Sequence, residues 1–273
     1  MWYDRLVDKE VFMRKKIVGS SWKMHITTKS EVDVLAMDIV EGVKDISNVD
    51  MFLIPTFPLI DHLANILSDS NVAWGAQNMA FADYGAYTGE VPAPTLAQLG
   101  CTVIELGHAE RRANFNESDH SVNKKVKLCL DYKMTPLVCI GETKAEKDDG
   151  VGNVRVKTQV LWTLDGVKPE DVDKIIFAYE PVWAIGQSEG ANADYVEDMH
   201  RFIRYVIASE VGNDIAQSVR IIYGGSVKLE SAYELISKKN IDGLFTGRFA
   251  LTAKNYIAIA ALVSKYVQEK EGN

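Results

Sequence analysis

"KIIFAYEPVWAIG", residues 174–186, decides the fold. Ile175 to Tyr179 form an unbroken apolar run, too short for a helix and without polar alternation. That is the pattern of a strand covered on both faces. The run ends on a carboxylate, Glu180, and Pro181 prevents the strand from continuing. A compact apolar patch follows, Val182-Trp183-Ala184-Ile185, closed by Gly186. Downstream, "YVEDMHRFIRYVIASEV" (195–211) carries apolar residues at helical spacing. One strand, one functional-looking loop and one helix make a repeating unit.

The unit recurs in both directions. Further short apolar runs are "KKIVGSSW" (15–22), "DMFLIPT" (50–56), "VAWGAQN" (72–78), "TVIELG" (102–107), "TPLVCIGE" (135–142), "VRIIYGGS" (219–226) and "DGLFTGR" (242–248). Helical patterns separate them, among them "KSEVDVLAMDIVEGV" (29–43), "SDHSVNKKVKLCLDY" (118–132) and "KNYIAIAALVSKYV" (254–267). About eight strand–helix units in roughly 250 residues predict an α/β fold, a TIM-type (β/α)8 barrel of one domain. An open doubly wound sheet usually opens on a GxGxxG turn, and the first strand here is followed by none. No linker or composition break divides residues 15–273. Residues 1–14, charged with scattered aromatics, read as an N-terminal extension.

The 273 residues are 47% apolar, which allows a sizeable core. The net charge of −8, with acids and bases interspersed, argues against nucleic acid as a partner. No stretch approaches the roughly 18 uninterrupted apolar residues of a membrane helix, and the N-terminus lacks a signal-peptide core. Cys101, Cys129 and Cys139 have no metal-ligand spacing. They read as buried thiols in a reducing, cytoplasmic setting.

In such barrels chemistry sits where strands end. The ends here are Ser21-Trp22-Lys23, Gln77-Asn78, Gly107-His108, Gly141-Glu142, Glu180, Gly224-Gly225-Ser226 and Gly247-Arg248. Taken singly, each has a plain reading. Lys23 reads as a solvated charge, His108 as a helix cap before "AERR", Glu180 as an arginine's partner and the glycines as a tight turn. Taken together they suit proton abstraction beside a carbonyl. A carboxylate in dry surroundings is a stronger base, and Trp183 and Ile185 are the candidates to provide them. A developing enediolate needs donors, for which His108 and Lys23 are available. Backbone N–H groups in glycine turns hold an anion such as phosphate. The hinged apolar stretch after Glu180 then reads as a lid that expels water.

These residues resemble the triosephosphate isomerase family. "AYEPVWAIG" (178–186) is similar to its base-and-lid motif throughout. "SWKMH" (21–25), "GAYTGE" (85–90), "LGHAERR" (106–112), "CIGE" (139–142) and "RIIYGGSV" (220–227) follow in family order. The resemblance implies Glu180 as the base, His108 as the electrophile and Lys23 as the site's cation. It implies phosphate contacts at Gly186, Ser226 and Gly247, a lid latch at Tyr223 and a lysine partner at Glu110. It further implies no metal or organic cofactor and a homodimer in which Thr88 reaches the neighbouring subunit's site. The substrate implied is a small phosphorylated sugar.

Several positions depart from the family pattern. Ser21 and His25 replace asparagines, Ala109 replaces a serine, and Arg248 replaces the second of two glycines. Arg248 reads either as a bidentate phosphate ligand or as a residue turned away. Three functions are therefore carried forward. They are a triosephosphate isomerase, an isomerase of a four-carbon ketose phosphate, and a catalytically dead barrel that binds phosphorylated metabolites.

Overall fold

The computed structural model describes residues 14–187 and 189–272. Eight parallel strands close into one barrel in chain order. They are β1 (Lys16–Ser21), β2 (Val49–Ile54), β3 (Val72–Ala76), β4 (Val103–Leu106), β5 (Thr135–Ile140), β6 (Ile176–Tyr179), β7 (Arg220–Tyr223) and β8 (Gly243–Thr246). β1 seals the ring against β8, with Ile17 beside Gly243 and Ser20 beside Thr246. The single-domain (β/α)8 barrel expected from the sequence is the observed fold.

Strand residues divide by parity, because successive side chains point to opposite faces. Ile17, Phe52, Val103, Leu137, Ile176, Ile222 and Phe245 belong to a cluster inside the barrel. Their neighbours Val18, Leu53, Ile104, Val138, Phe177, Ile221 and Leu244 join the larger cluster beneath the helices. Both faces are apolar, which is why the strands read as continuous runs.

The helix Lys29–Val43 buries Val32, Leu35, Ala36, Ile39 and Val43, one stripe at helical spacing. Each large aliphatic side chain so covered contributes roughly 1.5–3 kcal/mol. Thr28 and Glu31 close a capping box at its start. The helix Ala193–Val211 begins where Asn192 accepts the N–H groups of Asp194 and Tyr195. That cap fixes the far end of the loop leaving β6. All three cysteines are buried free thiols. Among the described residues no helix is long and apolar enough to cross a membrane.

Residues 1–13 of the expected extension lie outside the described residues. Arg14 is tied to the barrel, its Nε donating to Asp242 Oδ1 at 2.6 Å. The buried Arg204 reaches the other oxygen of Asp242 at 2.7 Å.

Candidate active site

Continuing the inward parity to the end of each strand, or one step past it, identifies the mouth of the barrel. Ser21 follows Ile17 at an even spacing on β1, and Glu105 follows Val103 on β4. Glu180 follows Ala178 beyond β6, Gly224 follows Ile222 beyond β7, and Gly247 follows Phe245 beyond β8. All five line a cavity of about 830 Å³, together with Lys23, His108, Glu110, Gly186, Ser226 and Arg248. The expected ends of β1, β4, β6, β7 and β8 thus supply residues to one cavity, within the size range of small-molecule sites, whereas Gln77-Asn78 and Gly141-Glu142 do not line it.

His108 has two attachments. It is the N-cap of the helix Ala109–Phe115, and its Nδ1 accepts the backbone N–H of Glu110 at 3.1 Å. One ring thus caps the helix, as expected, and also lines the cavity. An Nδ1 that accepts carries no proton, so the neutral ring holds its hydrogen on Nε2. Burial, reinforced by the charges of Lys23 and Arg112, lowers the pKa of His108 from 6.5 to about 4. Neutral imidazole is therefore the form present near pH 7. Its Nε2 lies 3.3 Å from Glu180 Oε2.

Glu180 is almost wholly buried, and its Oε2 has no partner of hydrogen-bond geometry. Burial holds its pKa well above the ordinary 4.5, and the Glu105 carboxylate pushes the same way against the pull of Lys23. Gly224 makes room for it: a Cβ there would lie 2.4 Å from Glu180 Oε1. Lys23 approaches from β1 with its backbone in the left-handed region, φ 48°. That conformation costs a non-glycine residue about 1–2 kcal/mol. Gln77 Nε2 donates to its carbonyl at 2.9 Å, and its Nζ donates to Glu110 Oε1 at 2.5 Å.

The loop after Glu180 lies against the β7 turn. Ser226 Oγ is 2.9 Å from the carbonyl of Ala184 and 3.0 Å from that of Gln187. Tyr223 Oη accepts the N–H of Ala191 at 2.9 Å. Ser226 therefore meets the lid through its hydroxyl, while its residue lines the cavity. Arg248 also lines the cavity, and a Cβ on Gly186 would lie 3.3 Å from its Nη2. The guanidinium thus rests by the lid's glycine, which turns with φ 70°.

One expectation requires correction. Ile185 lines the cavity, but Trp183 turns away from it. The Trp183 indole N–H donates to Glu142 Oε1 at 2.8 Å, and Lys147 Nζ sits 3.4 Å from its ring centroid. An indole N–H near hydrocarbon needs a partner, and the buried Glu142 supplies it. Tyr179 and Tyr195 also donate to Glu142, at 3.0 and 2.8 Å, so this carboxylate pins the start of the lid. Sequence reasoning gave Glu142 no role. Thr88 is exposed on the 81–90 loop and does not line this chain's cavity.

Glu105 was missed altogether. It is buried, lines the cavity and accepts a hydrogen bond from Ser21 Oγ at 2.8 Å. The signal was present in the sequence: "VIEL" places one carboxylate inside a strand covered on both faces, three residues before His108.

These features define a (β/α)8 barrel whose C-terminal mouth holds a dry carboxylate facing a neutral imidazole, under a pinned loop. The family model described as Triosephosphate isomerase matches residues 16–263. The triosephosphate isomerase of Carboxydothermus hydrogenoformans is 40% identical over 247 residues, covering 90% of this chain and 98% of that protein. That of Caldanaerobacter subterraneus subsp. tengcongensis is 38% identical over 247 residues, covering 90% and 99%. A probable triosephosphate isomerase 2 of Listeria monocytogenes is 37% identical over 253 residues, covering 93% and 99%. This chain belongs to the triosephosphate isomerase family.

Proposed function

We propose that this chain is a cofactor-independent isomerase of a short phosphorylated sugar, moving a proton between adjacent carbons through an enediolate. Dihydroxyacetone phosphate and glyceraldehyde 3-phosphate are the substrate pair that the family implies. Glu180 takes the proton from the carbon beside the carbonyl and returns it to the neighbour. His108 Nε2–H and Lys23 Nζ donate to the oxygens on which charge develops. Gly186, Gly247 and the turn at Ser226 hold the phosphate, with Arg248 beside them. The lid keeps the base dry and therefore strong. A homodimer, with Thr88 reaching the partner's site, and a cytoplasmic location belong to the same proposal.

The observation that carries this reading is the approach of His108 Nε2 to Glu180 Oε2 at 3.3 Å, with both side chains buried. Glu180→Gln tests it. Positioned base catalysis is worth roughly 10²–10⁴-fold, so turnover should fall by at least that much while the circular dichroism spectrum is kept. Near-normal turnover would end the assignment. Substrate that binds the native protein but gains no deuterium in D₂O would point instead to a binding barrel without catalysis.

A second reading, a four-carbon ketose phosphate as substrate, is favoured by the polar pair Ser21–Glu105 on the cavity floor.

A further inference from the structure

We propose that Ser21 and Glu105 form the receptor for a hydroxyl on the end of the substrate remote from its phosphate, and that they select a four-carbon ketose phosphate over a triose phosphate. The proposal rests on the isomerase reading above and extends it to the substrate's length.

The pair is unusual for its position. Val103 and Glu105 share the inward face of β4, and the inward cluster around them is hydrocarbon: Leu137, Ile176, Ile222 and Phe245. A carboxylate in that layer adds nothing to packing and carries the cost of a buried charge. Ser21 Oγ reaches it at 2.8 Å from β1, a strand that is not its neighbour in the ring. That bond uses Oε2. Oε1 accepts no hydrogen bond among the described residues and is not among the fully buried orphan atoms, although the residue lines the cavity. Burial raises the pKa of Glu105 to about 7, so near neutrality it can accept or donate.

Ring geometry sets the direction. The turns assigned to phosphate follow β6, β7 and β8, and β4 lies opposite β8 in a closed order of eight. In the isomerase reading, Glu180 and His108 face the reacting carbons. β1 pairs with β8, so Glu105 rather than Ser21 marks the side remote from those turns; an added carbon on that side is met by Glu105, with Ser21 holding its other oxygen from β1. A triose would present only hydrogen to this pair. A terminal hydroxymethyl group would present an O–H. The carbonyl then passes between two internal carbons: one C–H proton goes to Glu180 and returns to the adjacent carbon, one hydroxyl proton moves between the two oxygens, and no oxidant is needed.

The test measures kcat/KM of the native protein for dihydroxyacetone phosphate and for each erythrulose phosphate, then repeats this for Glu105→Val, Glu105→Gln and Ser21→Ala. An erythrulose phosphate should be preferred at least tenfold. Glu105→Val and Ser21→Ala should lower that preference roughly 10–100-fold, the worth of a hydrogen bond to a charged group, and Glu105→Gln, whose amide still bonds a hydroxyl, should lower it less. Native preference for the triose, or equal loss on both substrates in the variants, overturns the receptor while leaving the isomerase reading intact. Conversion of neither substrate overturns both. Should the variants fail to fold, competitive inhibition of the native protein decides. Erythritol 4-phosphate binding no tighter than glycerol 3-phosphate removes the receptor.

Discussion

Replacing Glu105 by glutamine removes a proton site from the barrel floor while keeping its volume and an oxygen to accept from Ser21. Burial raises the Glu105 pKa from 4.5 to about 7. Between those values the native protein holds a proton that the unfolded chain has released. Native stability is therefore full below pH 4.5, declines as pH rises, and has lost its increment above about pH 7. At about 1.4 kcal/mol per pH unit the increment is about 3 kcal/mol. The glutamine variant has nothing to ionise. Urea unfolding of both proteins at pH 5 and pH 8 should show the variant gaining about 3 kcal/mol relative to the native protein at the higher pH. A second contribution has the same sign, because the Glu105 charge is one cause of the raised Glu180 pKa. A difference that does not change with pH would show that Glu105 is not held protonated by burial, and the reasoning fails.

Three further outcomes follow from the site's geometry. In ¹⁵N NMR, His108 should remain neutral with its hydrogen on Nε2 from pH 8 down to near pH 5, since its pKa lies at about 4; an imidazolium signal at pH 6 would contradict the cap. Tyr223→Phe deletes the bond to Ala191. The loss, about 1 kcal/mol, should reduce closed-lid occupancy and turnover severalfold, with Trp183 fluorescence as the readout. Arg248→Gly should weaken inhibition by inorganic phosphate about tenfold or more if the guanidinium grips the anion; unchanged inhibition would place it outside the phosphate contacts.

Much of the fold was legible because barrel strands are covered on both faces and end abruptly. The run Ile175–Tyr179 and its stop at Glu180-Pro181 could be read without tertiary information, as could the helix Lys29–Val43. The placement of Lys23, His108 and Glu180 in one cavity followed from strand ends alone. What escaped was side-chain direction beyond the strand. Trp183 turned to Glu142 because its indole N–H needed an acceptor 41 positions away in the chain, and no local pattern announces such a partner. Ser226 spends its hydroxyl on lid carbonyls for a similarly long-range reason. Glu105 was hidden by its company: four residues of strand with one acid read as background until inward parity aligned it with Ser21.

The double attachment of His108 has a consequence for timing. The amide that takes up one ring nitrogen is in place as soon as the first turn after β4 winds. The tautomer of this ring is thus set by the backbone itself, whatever enters the cavity. Any change that loosens that turn would disturb chemistry and architecture in the same stroke.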